Sequence, residues 1–381
     1  MDKKTRVAVI FGGQSTEHEV SRVSAESVIR NINRDKFEVV MIGITKEGKW
    51  LRFNGPVEKL GSGEWEQIAL EESLAARQKC ILDQSLAGSG SQNVLAEAAS
   101  ARSIFNAAGV GEDNGQGIDV VFPVLHGSNG EDGTIQGLFE LAGIPYVGPG
   151  VLASAVGMDK AYTKIVFEKE GIPQGKYLVF NRKALKANVD DVVSKVEGTL
   201  TYPCFVKPSN SGSSVGVGKA RNRQELIDTM VEAAKYDRKL LVEEFIDGRE
   251  VECAVLGNDE PIASTVGEVV PCNEFYDYKA KYIDNNSRIT IPADLPESTI
   301  KEIRDYAVRA FKSLDCAGLS RVDFFVHKGS GNVYINEINT LPGFTSISMY
   351  PKLWEASGIP YDELIERLID LAVERFNDKT L

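Results

Sequence analysis

Arg321-Val322-Asp323 and, a few residues on, Glu337-Ile338-Asn339 followed by Thr340-Leu341-Pro342-Gly343 hold the residue types in this chain best suited to chemistry. Residues two apart on a strand share a face. Glu337 and Asn339 therefore look out together, and Asp323 can join them from a neighbouring strand, with Arg321 beside it. A cluster of hard oxygen ligands without His or Cys suits Mg2+, which takes one or two carboxylates and completes its shell with substrate phosphates and water. A solvated strand face is the plain alternative. The neighbours Val322, Phe324, Phe325, Val326, Val333, Tyr334 and Ile335 are apolar, and acids set among them are costly unless paired or metal-bound. The layout is one for phosphoryl transfer, in which positioning and charge neutralisation do most of the catalysis.

A second stretch complements the first. Phe205-Val206-Lys207-Pro208 runs into a Gly/Ser-rich loop that includes Ser213 and Ser214 and ends at Gly218. Lysine is a point cation for phosphate, and backbone N–H groups of such a loop can wrap phosphate oxygens. The G-x-x-x-x-G-K-[ST] pattern is absent, so this is no P-loop. Leu240 to Ile246 reads as an apolar strand ending in acids, with Glu250 after a turn at Gly248. Alone, Glu243, Glu244 and Glu250 would pass for exposed acids. Beside a phosphate loop they could accept from adenine or ribose. Residues 273–288 read as a long ordered loop, and loops of that length often serve as active-site lids.

The rest of the chain must position these groups. With 381 residues it is too long for one ordinary core. The net charge of −12 disfavours a nucleic-acid partner. No apolar run reaches the roughly 18 residues of a membrane span, and the N-terminus lacks a signal h-region, so a cytoplasmic, membrane-free protein is expected. The five cysteines form no C-x-x-C pair, and His18, His126 and His327 are too scattered for zinc.

Residues 5–11 predict a buried strand, Gly12-Gly13 a turn, and Glu17–Ile32 a helix capped by Ser15 or Thr16, its apolar positions Val20, Val23, Val28 and Ile32. Residues 37–44 predict the next strand, which begins a doubly wound α/β unit. Gly-Gly alone is weak as a phosphate cradle. Residues 54–117 show no chemistry and predict surface helices and loops. A strand at 118–124 leads into His126 to Gly133, a polar glycine-rich loop of the kind that carries function at strand ends. Beyond 150 the pattern changes. Helices are predicted from Met158 to about Glu170, near 181–197, and over 223–235, 297–314 and 361–376. Strands are predicted at 176–180, 203–207, 239–245 and 250–256. Three domains are expected, 1–150, 151–222 and 223–381, the last with the lid and the metal strands.

Taken in order, Lys160, Lys207 with its loop, Glu243 to Ile246, Glu250 and Arg321/Asp323/Glu337/Asn339 resemble the ATP-grasp superfamily. The match to its D-alanine–D-alanine ligases extends over Phe11 to Ser21, His126 to Thr134, Met158-Asp159-Lys160, Lys207 to Gly216, Phe275 to Tyr282 and Asn336 to Ser346. It leaves out only about 54–117. The resemblance implies an α/β ATP-grasp fold: an N-terminal doubly wound domain and two α+β subdomains that sandwich ATP. It implies ATP-dependent ligation of two D-alanines through a D-alanyl phosphate, for peptidoglycan precursor synthesis, with D-serine or D-lactate as alternative acceptors. ATP and two Mg2+ are implied, Mn2+ able to substitute and K+ a further candidate, in a homodimer.

The same resemblance implies residue roles. Lys160, Lys207, Ser213, Ser214 and Lys281 hold ATP phosphates. Glu243, Glu244, Phe245, Ile246, Glu250 and Asn336 complete the nucleotide site. Asp323, Glu337 and Asn339 bind the metals. Glu17 pairs with the first D-alanine ammonium and His126 lies near it, while Ser213 and Tyr282 join Glu17 in a network that closes the lid. Arg321 and the Gly343 N–H stabilise the oxyanion, and Ser348 with Met349 receives the second D-alanine. Tyr282 favours D-alanine over D-lactate as acceptor. Glu244 stands where related ligases often have Lys, which matters little if its backbone faces adenine.

Overall fold

The structure, a computed structural model, describes residues 3–86, 117–270 and 288–379. The chain forms two compact units. Unit 1 comprises Met1–Gly148, Gly343–Pro351 and Pro360–Leu381; unit 2 comprises Pro149–Pro342 and Lys352–Ile359. The segment 223–381, expected as one subdomain, is thus shared between them.

Unit 1 is built on a four-stranded sheet ordered β3 (Trp50–Phe53), β2 (Phe37–Ile44), β1 (Thr5–Gly12) and β4 (Val120–Pro123). β1 runs parallel to both β2 and β4. Val7 to Phe11 are fully buried, as a central parallel strand covered on both faces requires. Helix His18–Asn31 buries Val20, Ala25, Val28 and Ile29, whereas Val23 is exposed. Neither Ser15 nor Thr16 is its cap. Glu17 holds that position without a side-chain cap bond. Helix Trp65–Leu86 lies in the region expected to be surface, yet Trp65 is fully buried. Its ring packs edge-on to Phe11 at 4.9 Å between centroids and lies where a Cβ at Gly43 would fall. The C-terminal helix Tyr361–Lys379 joins this unit through Tyr361, whose hydroxyl donates to Phe344 O at 2.6 Å, and through Arg375, which donates to Gly148 O at 2.5 Å.

Unit 2 carries two antiparallel sheets. One is ordered β5 (Tyr177–Asn181), β8 (Lys239–Glu244), β6 (Cys204–Pro208), β7 (Gly218–Ala220). The other is ordered β11 (Arg288–Thr290), β10 (Ile262–Val270), β9 (Gly248–Gly257), β12 (Gly318–His327), β13 (Val333–Asn339). Each has its own core. Leu226, Met230, Val206 and Val242 fill the first, and Phe311, Val322, Phe324 and Ile335 the second. The helix expected near 181–197 is two helices, Arg182–Ala187 and Val189–Thr199. They break at Asn188, whose side chain accepts from Asp191 N and so starts the second helix rather than continuing the first. No helix among the described residues is long and apolar enough to cross a membrane.

Candidate active site

From Ser320 onward β12 alternates. Val322, Phe324 and Val326 point into the core, which leaves Arg321 and Asp323 on the opposite face. β12 lies between β9 and β13, and Asp323 is the register partner of Glu252 on one side and Glu337 on the other. Three carboxylates therefore stand in a lateral row across three strands. Like charges directly opposite destabilise a sheet, so the row demands cations. Arg321 is one. Its Nε lies 2.7 Å from Asp323 Oδ1 and 2.9 Å from Glu252 Oε2, and its Nη2 donates to Asp323 Oδ2 at 2.7 Å. Burial works against the guanidinium charge, but Asp323 and Glu252 overrule it and hold the group protonated well above its ordinary range. Lys160 Nζ is the second cation, 3.3 Å from Glu337 Oε2. Asn339 Nδ2 donates to Asp323 Oδ2 at 3.0 Å.

The register slips between Asp323 and Phe324: Asp323 pairs with Glu337, but Phe324 pairs with Ile335. Asn336 is the extra residue of a β-bulge, a feature that re-aims side chains beside active sites. It accepts from Lys207 Nζ at 3.1 Å. Among the described residues no group of three or more His, Cys, Asp or Glu is placed to hold a metal ion. The donor set here is two carboxylates, Asp323 and Glu337, and the Asn339 amide, which fits Mg2+ that takes its remaining oxygens from a phosphate substrate and water.

The lysines arrive from separate elements. Lys160 opens helix Lys160–Lys169, whose cap Asp159 accepts from Ala161 N and Tyr162 N and is ion-paired to Lys239. Ser209 Oγ donates to the same carboxylate at 2.7 Å. Lys160 Nζ donates to Ser211 O at 2.9 Å, and its backbone N to Ser209 O at 3.0 Å. The Gly/Ser loop is thereby moored to the helix. Within it Ser213 and Ser214 adopt φ of +47° and +59°, a left-handed conformation that non-glycine residues hold mainly at functional sites.

Glu243, at the end of β8, is buried between two ammonium groups: Lys207 Nζ at 2.6 Å from Oε2 and Lys164 Nζ at 2.6 Å from Oε1. Burial alone would raise its carboxyl. Lys164 and Lys207 outweigh that and pull it down to about 2. Glu244 turns its side chain to Lys176 N, which donates to Oε1 at 2.8 Å. Phe245 is half exposed under Lys219 Nζ, 4.1 Å above its ring. Glu250 lies on β9 two residues from Glu252. Lys281 and Tyr282 lie outside the described residues.

Unit 1 gathers Glu17, His126, Gly343, Ser348 and Met349. Because β1 and β4 are parallel neighbours, the loops after them meet at the C-terminal edge of the sheet, where open α/β folds bind ligands. Ser15 Oγ donates to His126 O at 2.6 Å and accepts from Glu17 N at 3.2 Å. Gly127 has φ +73°, and a Cβ there would lie 2.7 Å from Glu17 Oε2, so any side chain would be strained and would displace the Glu17 carboxylate. The His126 ring lies between Glu131, 3.6 Å from Nδ1, and Ser24 Oγ, 3.4 Å from Nε2. Burial raises the Glu131 carboxyl, with Glu17 pushing the same way and His126 opposing. Ser24 Oγ also accepts from Phe344 N at 3.4 Å. Ser348 Oγ lies 2.8 Å from Thr345 Oγ1, and a Cβ at Gly343 would come within 2.9 Å of it. The Gly12-Gly13 turn is explained by packing: a Cβ at Gly12 would sit 2.2 Å from Ile44 O.

Three residues at these sites carry no role in the sequence reading: Glu252, Glu131 and Lys164. Glu252 could have been suspected, since it shares a strand face with Glu250. Lys164 could not, because only the tertiary fold brings it to Glu243.

Comparison with known proteins identifies the family, and its second matched segment spans residues of both units. Residues 6–149 match the family model "D-ala D-ala ligase N-terminus" and residues 166–370 match "D-ala D-ala ligase C-terminus". The D-alanine–D-alanine ligase of Acetivibrio thermocellus is 65% identical over 381 residues, 99% of this chain and 98% of the relative. That of Clostridium novyi is 52% identical over 98% of this chain and 99% of the relative. Among solved structures, the VanG D-Ala:D-Ser ligase of Enterococcus faecalis superposes with a TM-score of 0.79 at 39% identity, covering 97% of this chain and 100% of the other. The D-alanine–D-alanine ligase of Coxiella burnetii does so with 0.78 at 33% identity, covering 100% and 97%. With both family models matched in order along a chain that carries this acid row and these lysines, the protein belongs to the D-alanine–D-alanine ligase family, whose members are ATP-dependent ligases.

Proposed function

We propose that the chain joins two D-alanines at the expense of ATP, supplying D-alanyl-D-alanine for peptidoglycan precursors. The observation that carries this reading is the row Glu252–Asp323–Glu337 held by Arg321 and Lys160, an arrangement suited to a polyphosphate and its cations. A carboxylate oxygen of the first D-alanine displaces ADP from the γ-phosphorus and gives D-alanyl phosphate. The amine of the second attacks the carbonyl carbon, and phosphate leaves with the oxygen that bridged it.

In this reading Glu17 holds the first ammonium, with His126 beside it and Glu131 fixing the imidazole. Ser348 and Met349 receive the second D-alanine. Arg321 and the Gly343 N–H donate to the oxyanion of the tetrahedral intermediate. Lys160, Lys207, Lys281 and the Ser213–Ser214 turn hold phosphates. Glu243, the Glu244 to Ile246 backbone, Glu250 and Asn336 complete the nucleotide site. Asp323, Glu337 and Asn339 would hold two Mg2+, or Mn2+ in their place. Bound Mg2+ supplies charge neutralisation along the transferring phosphoryl group. Tyr282 and Ser213 serve lid closure, which keeps water from the acyl phosphate. A cytoplasmic homodimer belongs to the same reading, with K+ as a further candidate ion.

The likeness to a D-Ala:D-Ser ligase makes D-serine the acceptor to exclude. Products formed from MgATP and D-alanine with equimolar D-serine and D-lactate, read by mass spectrometry, decide it. D-alanyl-D-alanine as the dominant product is expected. Dominant D-alanyl-D-serine or D-alanyl-D-lactate would overturn the assignment.

A further inference from the structure

Lys164 lies one helical turn after Lys160, yet it is 3% exposed and cannot reach a substrate. Its ammonium is spent on Glu243, 2.6 Å away, and it also lies 5.5 Å from the centre of the Tyr177 ring. Glu243 is buried as well, and its other oxygen takes Lys207 at the same 2.6 Å. Two cations therefore share one anion, and the triad carries a net charge of +1. Lys207 is the member closest to the acid row, since its Nζ reaches Asn336 in the bulge of β13.

A carboxylate shared between two ammonium groups neutralises neither fully. Were Lys164 absent, Glu243 would compensate Lys207 alone, and the pair would be neutral toward an incoming polyphosphate. We propose that Lys164 is a positioning residue for nucleotide binding: by occupying half of Glu243 it keeps the charge of Lys207 available to the phosphates of ATP. The inference rests on the reading above that Lys207 holds phosphate. It names a residue with no contact to the nucleotide and a purpose for a buried cation that packing alone does not explain, since burying a charge is costly without a return.

Binding of ATP, ADP and adenosine to the full-length enzyme, measured by calorimetry at fixed salt, tests it. For Lys164→Met, ATP and ADP should weaken about tenfold, the order expected from altering a charge a few ångström away at an effective dielectric near 20, with adenosine unchanged. Lys164→Arg should restore ATP binding. Equal weakening of all three ligands, or no weakening, would overturn the proposal. Should Lys164→Met not fold, Lys164→Gln, which keeps a donor toward Glu243, takes the same ratio test. Lys207→Met separates the two layers. If it leaves the ratio of ATP to adenosine affinity unchanged, the phosphate role of Lys207 fails. If it lowers that ratio while Lys164→Met does not, only the inference about Lys164 fails.

Discussion

The two units build their sites from different materials. In unit 1 the groups that would meet an amino acid hang from tight turns, and what fixes them is backbone geometry: Gly127 at φ +73° beside Glu17, and Gly343 against Ser348. In unit 2 the groups that would meet ATP stand on regular strands, fixed by one another's charge: Arg321 between Glu252 and Asp323, and Glu243 between Lys164 and Lys207. The first kind of site selects by shape. The second selects by charge, and its net field is set by residues one shell back from the ligand. Substitutions should therefore fail differently in the two units.

The largest effect is expected in the acid row. Asp323→Asn should lower kcat about a thousandfold, the scale seen when a preorganised charge is removed from a reacting centre. Its melting temperature should fall little, because one of three aligned like charges is gone. Phosphate-release kinetics and thermal melts on the same sample check both halves. A large loss of stability would mean that Asp323 is chiefly structural.

Arg321→Lys is next. It keeps the charge but loses the fork that spans Asp323 and Glu252, so kcat should drop about a hundredfold with KM for ATP nearly constant. A loss confined to KM would place Arg321 on the nucleotide rather than on the oxyanion.

Gly127→Ala should act on the other unit. Its forced φ and the 2.7 Å approach to Glu17 Oε2 should cost about 1–3 kcal/mol of stability and raise KM for D-alanine. ATP affinity should be untouched, a contrast that calorimetry reads directly. Weakened ATP binding would contradict the proposed separation.

The most specific prediction concerns pH. The Glu243 carboxyl sits at about 2 in the folded chain against an ordinary 4.5. A depressed folded value stabilises the protein fully above the ordinary value, and that contribution is lost as pH falls from 4.5 toward 2. At pH 7 Glu243→Gln should be less stable by an amount on the order of 3 kcal/mol. The gap between the two proteins should close by pH 2. Chemical denaturation across that range would show parallel curves if the ion triad contributed nothing.

Much of this was legible in the sequence where contacts are local or periodic. The period-two face holding Arg321, Asp323, Glu337 and Asn339, the strand at 37–44 and the helix over 223–235 emerge as read. What escaped depends on register and tertiary packing. A one-residue bulge at Asn336 leaves no mark in an apolar run. Glu252 joins the row only because β9 pairs with β12 at that register. Trp65 looks like a surface residue until Gly43 makes room for its ring, and the C-terminal helix joins unit 1 through contacts hundreds of residues away in the chain. The helix expected over 181–197 divides in two for a local reason, the capping power of Asn188.

The central claim is that a D-alanine carboxylate is activated by phosphoryl transfer. The most direct measurement follows its oxygen: D-alanine labelled with 18O in the carboxylate is turned over with unlabelled MgATP, and the phosphate released is examined by mass spectrometry. One labelled oxygen in each phosphate, matched one for one by dipeptide formed, is the predicted result. Unlabelled phosphate alongside dipeptide would contradict the account, because the carboxylate would then have been activated by some other route.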